Sequence, residues 1–325
     1  TIVSKKMKKN ICKICSNKTK SKKVTTRSKK KTKIFICKIC DFEFFSYDPR
    51  KNLERNKLDV SRLKKAGLKI PSIKENFNRT LSQSKSYLKT YIKNEDKNKK
   101  ILEIGCAHGS FLHLVKKKRC KVYGVEINDT LRHHLNQNLK IKCFKTLDEA
   151  FKKKIKFKKI FLFYCLEYFL NFKKDLMTII SMLESKGEVI IITPNKNDIL
   201  NSLYPNEGYS KFFYDINSIN YFSLKSLKNL MKKTKISKYK IFLKQGYSLG
   251  NFYNWVINSK PLKTGLVGED DLIYQISNNF KRSKLKSNKK IINKLKILFF
   301  NIEKKYKKYL ETQGFGNQII LKIKK

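Results

Sequence analysis

Four of the eight cysteines form two Cys-x-x-Cys pairs, Cys12/Cys15 and Cys37/Cys40, with 21 residues between the pairs. A two-residue gap lets both sulfurs of a knuckle reach one ion at about 2.3 Å, and two knuckles complete a tetrahedron. Four protein ligands leave no position for water, so the expected metal is a structural zinc ion. The surrounding segment has few apolar residues, chiefly Ile34, Phe35, Ile36, Phe42, Phe44 and Phe45. Metal binding would therefore supply much of its folding free energy. A thioredoxin-like redox centre would place one such pair inside a βαβ unit, and a disulfide framework belongs to secreted chains. Ser16 and Asp41 follow the second cysteine of each knuckle, where glycine is common. Asp tolerates the left-handed turn better than most residues.

The second constellation is the stretch 101–112, ILEIGCAHGSFL. A buried strand runs into a tight turn bracketed by Gly105 and Gly109, and a helix opens behind it. Glycine at such positions lets the backbone come close to a ligand. In open α/β sheets the ligand lies outside the carboxyl ends of the strands. Glu126 ends the next strand, 21 residues after Gly105, and an acid there can accept hydrogen bonds from ribose hydroxyls. The spacing is Gly-x-x-x-Gly, without the middle glycine of a dinucleotide fingerprint. A helix N-terminus aimed at a pyrophosphate is thus not the expectation, and the loop suits a ligand without phosphates.

The elements that must hold these residues follow from the alternation of short apolar runs with amphipathic stretches beyond residue 100. The pattern predicts strands over 100–104, 121–126, 141–144, 159–164 and 188–193. Helices are expected over 111–117, 130–138, 147–153 and 173–183, and from an N-cap at Ser223 to about Lys233. Strands alternating with helices imply right-handed crossovers and a mostly parallel sheet. A further strand is expected over 239–244, with 318–323 returning beside it and 250–315 inserted between them, partly helical over 289–310. An aromatic loop spans 204–222.

Net charge is +51, from 76 basic and 25 acidic residues. Such a surface attracts polyanions, which keeps nucleic acid among the expected partners. However, only eight of the 76 are Arg, the type that nucleic-acid sites favour for bidentate contacts. Lys spread over nearly every segment, beside abundant Ile and Asn, matches a codon bias towards A and T. A 12% aromatic content excludes disorder throughout. No apolar run reaches the 18 residues a membrane span needs, and no apolar run follows the basic start at 1–10, so no secretory leader is expected. Thr1 in place of Met reads as a trimmed or partial start, and the expected location is cytoplasmic.

The loop at 103–109, the stretch 123–128 (YGVEIN) and the block at 160–168 (IFLFYCLEY) resemble the class I S-adenosylmethionine-dependent methyltransferases, in the correct order. So do 183–187, 190–195 and 221–227. The resemblance covers about 98–245 and implies a Rossmann-like, seven-stranded α/β methyltransferase sheet. Around it the expectation is a zinc-binding segment at 1–45, a helical connector at 46–98 with Pro49 and Pro71 as breakers, a core at 99–249, and a C-terminal insertion and extension at 250–325. By the same resemblance Gly105, Cys106, Ala107 and Gly109 wrap the methionine part of S-adenosylmethionine. Glu103 holds its amino group, Glu126 the ribose and Ile127 the adenine, while Phe163 to Leu166, with Tyr164 and Cys165 at the centre, line the approach to the sulfonium. Tyr168 stands where relatives often carry His, and Ser218 near where some carry another. The candidate proton acceptors are therefore Glu167, Tyr168 and His108, with Asn195, Tyr209, Tyr214 and Tyr221 behind them. Cys106 reads as a small residue filling the turn rather than a nucleophile. A zinc segment on such a core is similar to a bacterial subgroup that modifies sugars and small metabolites, so a nucleotide-linked sugar is the expected acceptor. An RNA methyltransferase and a non-catalytic polyanion binder on the same fold are the alternatives.

Overall fold

A computed structural model describes residues 11–45, 71–215, 217–262 and 289–325. The basic start at 1–10, residues 46–70 of the connector with Pro49, and 263–288 of the insertion lie outside the described residues. The metal lobe is a meander of β1 (Lys20–Thr25), β2 (Lys31–Cys37) and β3 (Phe42–Phe45). Helix α1 (Ile73–Tyr91) follows, started by a capping box in which Ser72 Oγ accepts from Glu75 N and Glu75 Oε2 accepts from Ser72 N. The alternating region then runs β4 (Lys100–Ile104), α2 (Ser110–Lys117), β5 (Lys121–Val125), α3 (Asp129–Gln137), β6 (Lys142–Phe144), α4 (Leu147–Lys152) and β7 (Phe157–Phe163). It continues through α5 (Phe172–Ser181), β8 (Leu183–Pro194), α6 (Ile199–Ser202), α7 (Glu207–Phe213) and β9 (Asn220–Tyr221). Last come α8 (Leu224–Lys233), β10 (Tyr239–Lys244), α9 (Leu249–Asn258), α10 (Lys289–Thr312) and β11 (Gln318–Lys324).

Seven strands form one sheet in the order β10-β11-β8-β7-β4-β5-β6. Strands β8, β7, β4, β5 and β6 are mutually parallel, and β11 inserts antiparallel between β8 and β10. This is the Rossmann-like α/β arrangement expected from the sequence, including the returning last strand. The chain winds from β4 towards β6, then returns to β7 on the other side of β4. The carboxyl ends of β4 and β7 therefore flank a topological switch point, where open sheets bind ligands. The strands are apolar on both faces because helices cover both. Ile101, Phe161, Ile190, Ile192 and Ile320 pack against Phe111, Leu112, Val115 and Leu135 on one side. Leu102, Ile104, Ile160, Leu162 and Ile191 pack against Leu176, Ile179, Leu227 and Leu230 on the other. Near-continuous apolar runs of this kind are what a doubly covered parallel sheet requires.

The metal lobe is not a separate bead. Strand β9 of the core pairs with β3, which completes a four-stranded sheet in the order β1-β2-β3-β9. Phe42 is fully buried and lies 5.7 Å from Phe172 and 5.3 Å from Phe222, ring centre to ring centre. The aromatic loop expected over 204–222 thus contains a helix, α7, and a two-residue strand that adds to the lobe's sheet. Two residues are too few to announce a strand by alternation, so only the partner makes β9 visible. Among the described residues no helix is long and apolar enough to cross a membrane.

Candidate active site

The donor loop is shaped by backbone. Gly105 and Gly109 both take left-handed conformations, at φ 75° and 76°, and Ala107 between them does so at φ 45°. Gly105 N donates to Val125 O at 2.8 Å and Gly109 N to Cys106 O at 2.8 Å, so the turn is tied to the end of β5. Space as well as conformation demands glycine, since a Cβ at Gly105 would stand 2.7 Å from Cys165 Sγ. Cys106 is buried with its Sγ 3.9 Å from Cys143 Sγ and packs as a small apolar residue.

Glu126 turns towards this loop. Its Oε2 accepts from Ala107 N at 2.9 Å and its Oε1 from Asn128 N at 2.8 Å. Glu103 is 5% exposed, and its Oε2 has no hydrogen-bond partner among the described residues. Burial, reinforced by the Glu126 charge, holds Glu103 well above the usual carboxylate range, and burial raises Glu126 as well. Two buried acids at one loop, one with an orphaned oxygen, suit a ligand carrying positive charge. The ammonium and sulfonium of S-adenosylmethionine satisfy both requirements. Ile127 stands 62% exposed beside them, open for a ring to lie on. His108 is half-buried in the loop, and burial followed by the Arg79 and His134 charges pulls it below its ordinary value.

A cavity of about 200 Å³ opens at the carboxyl ends of β7 and β8. Tyr164, Glu167 and Tyr168, which follow β7, line one side. Tyr209, Phe212 and Phe213 of α7, with Tyr221 and Tyr247, make the rest aromatic. Asp215, Ser218, Asn220, Asn317 and Gln318 add polar groups, and Arg27 reaches in from the metal lobe. Tyr164 is held left-handed at φ 51°, with its N–H on Ile192 O at 2.8 Å, so the chain turns sharply as it leaves β7. Burial pushes the Glu167 carboxyl up to about 7, against the bond that Thr193 Oγ1 donates to Oε2 at 3.1 Å. A carboxylate poised near neutrality can take a proton from an acceptor.

Of the sequence-derived candidates, Tyr164, Glu167, Tyr168, Ser218, Tyr209 and Tyr221 meet at this cavity, whereas His108, Cys106 and Cys165 are not among its lining residues. Asn195 donates from Nδ2 to Gly316 O, and Tyr214 donates to Glu43 Oε2 at 2.7 Å, so both serve the framework. Tyr209 donates to Asp198, a buried acid that burial pushes up to about 7. Sequence reasoning missed Arg27, Asp215, Tyr247, Asn317 and Gln318. Only Arg27 carried a signal, as one of eight Arg in a Lys-rich chain.

In the lobe the four thiols converge, with all Sγ atoms of Cys12, Cys15, Cys37 and Cys40 within 4.8 Å of one another. A tetrahedral zinc–thiolate site has sulfur–sulfur edges of about 3.8 Å, so the cluster closes on an ion with small side-chain shifts. Ser16 and Asp41 are both left-handed, at φ 64° and 54°, as the knuckle geometry demands. Cys40 N donates to Cys37 Sγ at 3.3 Å and Asn17 Nδ2 to Cys15 Sγ at 3.2 Å, bonds that favour thiolates. Burial pushes the Cys12 thiol up to about 12 when no cation faces it, which a dication would reverse. The donor set fits zinc.

Comparison with known proteins gives a match to the family of methyltransferase domains over residues 74–235. No curated protein matches the sequence. Among solved structures, a SAM-dependent methyltransferase from Archaeoglobus fulgidus is similar at 20% identity, with 77% of this chain and 97% of that chain covered and a TM-score of 0.47. The plantazolicin methyltransferase BpumL, solved with SAH, is similar at 16% identity over 86% of this chain and 91% of that one, with a TM-score of 0.43. A phosphoethanolamine N-methyltransferase from Haemonchus contortus, solved with S-adenosyl-L-methionine, is 14% identical, with coverages of 75% and 52% and a TM-score of 0.41. The family match spans the glycine loop, both acids and the residues after β7, and so this chain carries a methyltransferase domain.

Proposed function

We propose that the chain methylates a small polar acceptor, a nucleotide-linked sugar in our reading, held in the aromatic cavity with Glu167 as the proton acceptor. The observation that carries this reading is a buried carboxyl pushed up to about 7 on the wall of a cavity of about 200 Å³. That volume takes a sugar-sized ring, and aromatic walls with a few carboxylate and amide groups suit one. When bound, S-adenosylmethionine supplies a methyl group on a cationic sulfur that departs as a neutral thioether. Glu103 and the loop at 105–109 would hold the amino acid part, Glu126 the ribose and Ile127 the adenine. Tyr164, Tyr168 and Cys165 would orient the two partners, and positioning supplies much of the rate because the donor is already activated. Glu167 would take the proton that the attacking atom loses.

Against an RNA acceptor, the described residues that line the cavity include Glu167 and Asp215 beside Arg27 and no Lys, in a chain of net charge +51. A polyanion meets the chain's charge elsewhere on the surface, not here. The four thiols would hold a structural zinc ion. A cytoplasmic setting is part of the same reading, because four thiols gathered for one ion suit a reducing compartment. Calorimetry of the zinc-loaded chain with S-adenosylmethionine, then mass spectrometry of a cell extract for metabolites that gain one methyl group, tests the reading. No binding of the donor, or methyl gain only on RNA, would refute it.

A further inference from the structure

We propose that the metal lobe builds the acceptor wall of the site, so that zinc governs the acceptor half while the donor half stands without it. The proposal rests on reading the aromatic cavity as the acceptor site. Three sets of contacts carry it.

The first is Arg27, at the turn between β1 and β2. Its backbone N–H donates to Tyr214 O at 2.8 Å, and its Nε donates to Phe212 O at 2.8 Å. Its guanidinium lies 4.0 Å from the centre of the Phe212 ring and 3.7 Å from Asp215 Oδ2. Among the described residues Arg27 is the one cation in the cavity lining. The lobe therefore supplies the cavity's positive charge and grips the end of α7 that carries its aromatic wall.

The second is the junction of β3 with β9. Glu43 pairs with Tyr221 and Phe44 with Asn220, and Phe45 N donates to Ile219 O at 3.0 Å. Tyr221 and Asn220 both line the cavity. Glu43 also accepts from Tyr214, and Asp41 O accepts from Ser223 Oγ at 2.8 Å. The return from α7 to α8 is thus tied to the lobe at Tyr214, Asn220, Tyr221 and Ser223, and to the core where Ile219 N and Asn220 Nδ2 donate to Glu167 O.

The third is what holds the lobe itself. Cys37 ends β2 and pairs with Phe42, and Cys40 sits in the turn between β2 and β3. Cys12 and Cys15 bracket Ile14, whose carbonyl accepts from Lys173 Nζ at 2.6 Å. The lobe's own share of the hydrophobic core is small, and a metal bound by all four thiols would tie its two knuckles together. By contrast, none of the lobe's hydrogen bonds among the described residues reaches the donor loop, Glu103 or Glu126. Those rest on β4 and β5, beyond β7 in the sheet order.

Hydrogen–deuterium exchange and donor calorimetry on the full chain, zinc-loaded and chelator-stripped, test the division. Stripping should speed exchange of amides at 24–27 and 213–222 by about tenfold or more while those at 101–126 change less than about twofold. Affinity for S-adenosylmethionine should stay within about threefold, and added zinc should restore the protection. Unchanged exchange at 213–222, or a chain that takes up no zinc, overturns the proposal. So does a parallel loss of protection at 101–126 with loss of donor affinity, because the metal would then support the whole fold. Absence of donor binding in both forms would instead sink the methyltransferase chemistry, while the exchange pattern still decides whether the lobe is the wall.

Discussion

Glu126 offers the sharpest separation of binding from folding. Its two oxygens accept from Ala107 N and Asn128 N at 2.9 and 2.8 Å. Glu126→Ala removes both acceptors, which at about 1–2 kcal/mol each suggests a loss of about 2–4 kcal/mol. The carboxylate is also buried and its pKa raised, so removing it recovers desolvation free energy. The net loss of stability should therefore be nearer about 1–2 kcal/mol. Donor binding has no such compensation. A ribose diol bonded to a charged acceptor is worth about 1.5–3 kcal/mol, or about 10- to 100-fold in Kd. Glu126→Gln keeps one acceptor oxygen and loses the charge, so it should fall between, at about tenfold. Calorimetry with S-adenosylmethionine and urea unfolding of the three proteins make the comparison. Because burial raises the folded pKa of Glu126, donor affinity should fall as pH drops through that raised value, and the part of this fall due to Glu126 should be missing in both variants, where Glu103 still titrates. Affinity within about threefold for Glu126→Ala would refute the ribose assignment. Equal losses of stability and affinity in both variants would make Glu126 a clasp for the loop and nothing more.

Gly105→Val should cost about 1–2 kcal/mol for a left-handed β-branched residue, and about 1–3 more for the overlap with Cys165 Sγ. Adding Cys165→Ala should recover part of the overlap cost in urea unfolding but none of the conformational cost. Glu167→Gln should lower methyl incorporation by about 10²–10⁴ and flatten a wild-type profile that rises with pH through about 7. Its effect on stability has a defined sign. The folded pKa lies above the unfolded one, so the native state binds more protons between them, and stability falls as pH rises from about 4.5 to about 7. Glu167→Gln should remove that slope, about 3 kcal/mol at most, in unfolding midpoints measured at pH 5 and 8.

Much of the core was legible because each signal was local. The strand before Gly105, the helix after Gly109 and the N-cap Ser223 sit where hydrophobic period and cap chemistry place them. The knuckles were legible because ligand spacing is a property of consecutive residues. The strand over Leu183–Pro194 runs five residues earlier than expected, since its first residue pairs with Phe157 across an irregularity in the ladder. A register break has no local sequence mark.

The sequence by itself determined the repeating strand–helix order, the glycine turn with its acid at the next strand tip, and the four cysteines that converge. Each follows from residues a few positions apart, and short-range sterics and ligand reach act at that distance. Only the tertiary structure decided that Arg27, Glu167, Tyr221, Tyr247 and Gln318 share one cavity. It alone decided that a two-residue strand just before α8 pairs with the last strand of the four-cysteine lobe. Those meetings depend on crossover geometry and on which edge of β3 is left open, and neither is written in any single stretch of chain.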